Sequence, residues 1–213
     1  MDRVYLEDVI ADFFDNYYSK NINVDMIYSN YSKTSYDDND NISLIDSDEM
    51  CLDFDKIEEF YVIRHNTKHE LIKRQKEPDS KFIYLRNYSS NDAIKKIDDM
   101  DYFIEFKNES SPKKNKIESK IKDSLLIYLD IMDAKISYTR ENLGYILVYN
   151  PNKNDKNSNM VGQHTDFDFI QGTIKSFAKE KVDKFGLASN YEDFYFKDVK
   201  VLSKEEFVKR YDL

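Results

Sequence analysis

Tryptophan is absent from the 213 residues, cysteine occurs once, proline three times and glycine four times. The single cysteine, Cys51, excludes an internal disulfide and a cysteine-rich zinc site, so a reduced, intracellular setting is expected. So little glycine and proline argues against a sandwich of many tight turns and against a long flexible linker. An α/β or α+β domain fits better. No apolar run approaches about 18 residues, the length a membrane-spanning helix needs, and no membrane partner is expected. The start, Met1 to Asp8, mixes acidic, basic and apolar residues where a secretory leader is basic and then continuously apolar. The expectation is a soluble cytoplasmic protein.

What is present is enough to build a core. Hydrophobic residues make up 40% and aromatics 15%, which outweighs the disordering tendency of 34% charged residues and points to one folded domain over 1–213. The net charge of −9 speaks against a protein that coats nucleic acid with its whole surface, but leaves room for a local basic groove.

Residues 4 to 18 place Val4, Leu6, Val9, Ile10, Phe13, Phe14, Tyr17 and Tyr18 at near-helical spacing, which predicts a docking helix. The stretch from Ser29 to Glu49 is rich in Ser, Asn and Asp, and an exposed acidic loop is expected. Within it Asp37, Asn39 and Asn41 have the spacing of a calcium loop's first ligands. Ile42 stands where that loop needs Gly and Asp48 where it needs Glu, so a solvated loop is preferred. Residues 55 to 76 predict one helix or two, and Lys81 to Leu85 a strand. His65 and His69 stand four apart, but Asn66 replaces the Glu of a zinc-protease motif and solvated histidines are expected.

Further on, an apolar stripe from Ile117 to Met132 predicts a helix over 116–132, and Tyr145 to Tyr149 reads as a buried strand. A helix over 167–185 closed by Gly186, a strand near 194–202, and a helix over 204–211 with Ser203 as N-cap complete the expectation.

The chemistry centres on Asp101-Tyr102-Phe103-Ile104-Glu105-Phe106-Lys107-Asn108. Side chains alternate along a strand, so Phe103, Glu105 and Lys107 share a face and Tyr102, Ile104 and Phe106 the other. Large apolar residues on both faces predict a central strand, where charges need a reason. If Asp98-Asp99 is a two-residue turn, 97 faces 100 and Asp92 becomes the cross-strand neighbour of Glu105. A four-residue loop would set Asp92 opposite Lys107 and keep the shared face; a three-residue loop would spoil it. Two carboxylates forced together call for a cation, and a hard divalent ion such as Mg²⁺, or Mn²⁺, suits them.

Asp92 followed by Glu105-Phe106-Lys107, on a strand-turn-strand that leads into a helix, resembles the motif of the PD-(D/E)xK nuclease superfamily. The resemblance covers about residues 80 to 150. It implies a restriction-endonuclease-like mixed sheet flanked by helices, with a helical extension and acidic loop over 1–50 ahead of a core over 51–213. It also implies that Asp92 and Glu105 bind the metal, with the carbonyl of Phe106 as a third ligand, and that Lys107 positions or activates water. The implied reaction is Mg²⁺-dependent hydrolysis of a nucleic-acid phosphodiester, in DNA rather than RNA. Asn91 replaces the Pro that often precedes the Asp, and the literal Pro78-Asp79 lies outside the hairpin spacing. Glu58, Glu59 and Glu70 are the choices for the earlier helix glutamate such enzymes often carry.

From Lys107 to Lys122 six lysines stand against Glu109 and Glu118, a local balance of +4 in an acidic chain. Lys113, Lys114, Lys116 and Lys120 are therefore candidate phosphate contacts. His164-x-Asp166-x-Asp168 is a rival set of ligand types without a supporting frame. The alternative to an enzyme is an inactive protein of this fold that presents its acidic surface to a basic protein partner.

Overall fold

Leu6, Ile10 and Phe14 recur on one side of helix α1 (Leu6–Asp15) and are buried in the core, as the helical spacing predicts. The structure is a computed structural model that describes residues 6–15, 24–66, 88–153 and 184–213. Strand β1 (Tyr28–Asn30) leads into the short helix α2 (Tyr31–Thr34), and β2 (Tyr36–Asp37) pairs antiparallel with β3 (Ile42–Ser43). This corrects the exposed loop expected over 29–49. Elements of two to four residues are too short to show a period, yet Tyr31, Leu44 and Ile45 are buried. Ser35 ties the segment down, its hydroxyl accepting from the Ile45 amide at 3.0 Å.

Strand β4 (Met50–Asp53) runs directly into α3 (Phe54–Asn66). The hairpin of β5 (Ala93–Ile97) and β6 (Met100–Lys107) follows, with Ile97 opposite Met100 across the two-residue turn. Asp98 takes a φ of 54° there, a left-handed conformation that Asp tolerates. Helices α4 (Lys114–Ile131) and α5 (Ile136–Asn142) carry the chain to β7 (Leu143–Tyr149), which lies parallel to β6 and is buried throughout. A short helix α6 (Ala188–Tyr191) precedes β8 (Asp198–Ser203), again parallel, and α7 (Lys204–Tyr211). Ser203 caps α7 in a reciprocal capping box with Glu206, so the expected N-cap is present. The strand expected over 81–85, residues 167–183 of the expected helix and the histidine-aspartate cluster at 164–168 lie outside the described residues, while Lys184–Gly186 at that helix's expected end form a short 3-10 turn.

The result is an α/β fold on one mixed six-stranded sheet in the order β1-β4-β5-β6-β7-β8. β6 is central, antiparallel to β5 and parallel to β7. One face of the sheet packs on α1, α3 and α4 through Phe54, Ile57, Phe103, Ile121 and Leu147. The other face packs Ile104, Phe106 and Val148 against Tyr31 and Phe207. No helix among the described residues is long and apolar enough to cross a membrane.

Gly144 is required by this packing. Paired with Tyr102 in the β6–β7 ladder, it leaves space for the tyrosine ring, and a Cβ there would lie 2.2 Å from Tyr102 Cε1. The ring cannot easily yield, because its hydroxyl donates to Asp198 at 3.0 Å and accepts from Lys200 at 2.7 Å. Gly144→Ala is expected to lower stability by about 2 kcal/mol through overpacking. A urea titration reads this as a lower midpoint with unchanged slope; an unchanged midpoint contradicts the packing.

Candidate active site

Four charged side chains meet at the carboxyl end of β6: Asp92, Glu105, Lys107 and Lys120. Their convergence begins with the backbone. The β5–β6 ladder ends at the pair Ala93 and Ile104, and the chain bends at Asp92. The Phe106 amide, left without a strand partner on that side, donates instead to Asp92 Oδ2 at 2.6 Å. The Asp92 carbonyl accepts from the Phe54 amide, the first of α3, at 3.2 Å. Its neighbours are anchored too, with Ser90 bonded to the Asp55 carboxylate and the Asn91 amide donating to Ser124 on α4 at 2.9 Å. Asp92 is thus fixed between β6, α3 and α4, one residue beyond the ladder where the two-residue turn puts it opposite Glu105.

Glu105 points from the Phe103 face toward α4 and is fully buried. Two ammonium groups meet it: Lys107 forms an ion pair with Oε1, and Lys120 Nζ lies 2.8 Å from Oε1 and 3.0 Å from Oε2. Lys120 also reaches Asp92 Oδ1 at 2.8 Å, so one cation bridges the two carboxylates. Burial, and next the Asp92 charge, push the Glu105 carboxyl up to about 7, against the lowering effect of Lys120 and Lys107. Burial alone would lower Lys120, but the Glu105 and Asp92 charges outweigh it and hold the ammonium above the ordinary lysine range.

The site opens on a polar cleft of about 480 Å³ lined by Asp92, Phe106, Lys107 and Asn108 on one side and by the β2–β3 hairpin on the other. The hairpin is pinned to the end of β6. Asn108 Nδ2 donates to Asp37 at 3.0 Å and to Asp40 at 2.6 Å, and its Oδ1 accepts from Asn150 at 2.9 Å. Lys153 forms ion pairs with the same two aspartates. Asp37 therefore belongs to the cleft wall, and its carboxyl is held below the usual range by bonds from Asn108 and Asn39 that overcome burial.

The three residues expected to act together, Asp92, Glu105 and Lys107, are brought together. Phe106 lies between Glu105 and Lys107 on β6, with its ring 5.8 Å from Tyr31 and 6.0 Å from Phe207, which anchors its main chain at the cleft edge. Lys113, Lys114 and Lys116 are exposed where the chain leaves β6 and enters α4, whereas Lys120 is turned inward between the carboxylates. Among the glutamates of the earlier helix, Glu58 is fully buried on α3, Glu59 pairs with Lys56 at 2.8 Å, and Glu70 lies outside the described residues, as do Asp79 and His69. No group of three or more His, Cys, Asp or Glu able to hold a metal together occurs among the described residues. The carboxylate pair is what the chain offers, and Mg²⁺ is commonly held by one or two carboxylates with waters completing its shell.

Two features escape the sequence pattern. The side-chain amide of Asn91 and the Tyr145 hydroxyl are fully buried and lack a hydrogen-bond partner among the described residues. Burial, then the charges of Glu105 and Asp92, raise the Tyr145 hydroxyl well above its ordinary range, which keeps it neutral. Its place opposite Phe103 in a run of apolar residues gave no sign of this. Comparison of the chain with protein-family models, with curated proteins and with solved structures finds no match.

Proposed function

We propose that this protein is a Mg²⁺-dependent nuclease that hydrolyses phosphodiester bonds, with DNA as its substrate. The observation that carries the reading is the convergence of Asp92 and Glu105 on a single cation beside Lys107, at the mouth of a polar cleft. Two carboxylates already drawn onto one ammonium are a donor set that suits a hard divalent ion. Asp92 and Glu105 would hold it, with the Phe106 carbonyl at the same strand end. A bound Mg²⁺ supplies a polarised phosphoryl oxygen and a more acidic water. Lys107, one-fifth exposed at the cleft edge, has its ammonium where it can orient water or hold a phosphate oxygen. The exposed Lys113, Lys114 and Lys116 meet the nucleic-acid backbone as sequence-independent contacts. The mixed sheet, the hairpin and the α4 crossover support a restriction-endonuclease-like architecture.

Incubating purified protein with linear and plasmid DNA and Mg²⁺ tests this, with EDTA, Glu105→Ala and Lys107→Ala as controls. Cleavage that depends on Mg²⁺ and falls in both variants is expected. Cleavage that persists in both overturns the assignment.

The acidic cleft wall favours a second reading. Asp37 and Asp38 line the cleft, with Asp40 beside them held by Asn108 and Lys153, an acidic wall that suits a basic protein segment and a non-enzymatic role. On that reading Mg²⁺ or Mn²⁺ leaves thermal stability unchanged, while a basic partner raises it.

A further inference from the structure

We propose that Lys120 is a resident counter-ion that a divalent metal must displace, so that ammonium and metal compete for the same two carboxylates. The proposal rests on the reading of Asp92 and Glu105 as the metal-holding pair and adds how that pair is controlled. Its first support is position. Nζ lies 2.8 Å from Asp92 Oδ1 and 2.8 Å from Glu105 Oε1, in the space between the two carboxylates that a shared ion would take.

Access is the second. Glu105 has no exposed surface, and the ammonium groups against its carboxylate are those of Lys107, at the cleft edge, and Lys120. Lys120 is the one in contact with both acids. Its side chain retains 21% exposure, so a rotation about its flexible stem can carry the ammonium outward without moving α4.

Charge balance is the third. Two carboxylates facing two ammonium groups are neutral as they stand. A divalent ion added with both lysines seated would set four positive charges against two negative ones in a buried site, which is strongly unfavourable. With Lys120 withdrawn, the metal and Lys107 set three positive charges against two negative ones instead of four against two, and the freed ammonium becomes a ready partner for an anionic substrate.

If Lys120 is seated nine-tenths of the time, it weakens the apparent metal affinity about tenfold, because binding is scaled by the fraction of competent molecules. Calorimetry and Mn²⁺ electron paramagnetic resonance on the full chain read this directly. Lys120→Gln is expected to bind Mn²⁺ about tenfold more tightly than wild type, Lys122→Gln on the exposed side of α4 to match wild type, and Glu105→Gln to lose the site. A second measurement on the wild type covers the case in which Lys120→Gln folds poorly. Saturating Mn²⁺ is expected to raise acetylation of Lys120 relative to Lys122, followed by peptide mass spectrometry.

Equal Mn²⁺ affinity in wild type and Lys120→Gln, or binding at the site with no change in Lys120 acetylation, overturns the displacement and leaves the metal-site reading intact. No Mn²⁺ binding that Glu105→Gln removes, in either wild type or Lys120→Gln, overturns both.

Discussion

Glu105→Gln is expected to lower Mg²⁺-dependent cleavage by about 10³-fold, the scale on which removing one preorganised charge-stabilising group from a buried reaction centre acts. The substitution keeps the shape of the side chain and removes its charge, and the denaturant titrations below read whether the variant stays folded. A second signature accompanies the first and has the opposite sense. Burial and the Asp92 charge raise the folded-state carboxyl to about 7 from an ordinary value of 4.5. A raised value means that the folded protein holds the proton more tightly than the unfolded chain does. The stability contributed by that proton is complete below about pH 4.5 and is lost as pH rises through about 7. Glu105→Gln lacks the transition. Whatever constant offset the variant carries, wild type is expected to lose about 1–3 kcal/mol relative to it between pH 4.5 and 8. Denaturant titrations of both proteins across that range check it; parallel pH profiles contradict the burial of an ionised Glu105.

The largest stability loss is expected at Phe103. Its ring is fully buried in the sheet face beneath α4, edge-on to Phe54 at 5.0 Å, to Tyr128 at 5.6 Å and to Phe196 at 6.2 Å. These partners come from α3, α4 and the segment before β8, so truncation opens a cavity among elements that cannot all collapse into it. Phe103→Ala is expected to cost about 3–5 kcal/mol. For a chain of this size that corresponds to a melting temperature lower by roughly 10 °C. Scanning calorimetry reads it, and a loss under about 1 kcal/mol would contradict the central position of the ring.

Much of the site was legible because its signals are local. Period-two alternation identified β6, and two aspartates tolerant of positive φ marked the turn that sets the register of Asp92 against Glu105. The capping box at Ser203 and Glu206 was equally direct. Lys120 was harder. It sits four residues after the exposed Lys116, which groups it with the surface lysines, but also three after Ile117 and four before Ser124, both fully buried. That flanking position was the available signal, and lysine chemistry masked it. The β2–β3 hairpin gave less still. Its strands are two residues long, and what holds it is Asn108, distant in sequence, together with a few buried neighbours of low periodicity.

Asp92, Glu105, Lys107 and Lys120 fall within one stretch whose outer members are 28 positions apart, whereas the bond from Asn108 to Asp37 spans 71. The four charged groups therefore belong to a single supersecondary segment that can assemble early from short-range contacts. The cleft wall that faces them arrives from elsewhere in the chain. Cluster and wall are therefore separately mutable, and exchanging the Tyr36–Ser43 hairpin would reshape the cleft without disturbing the carboxylates.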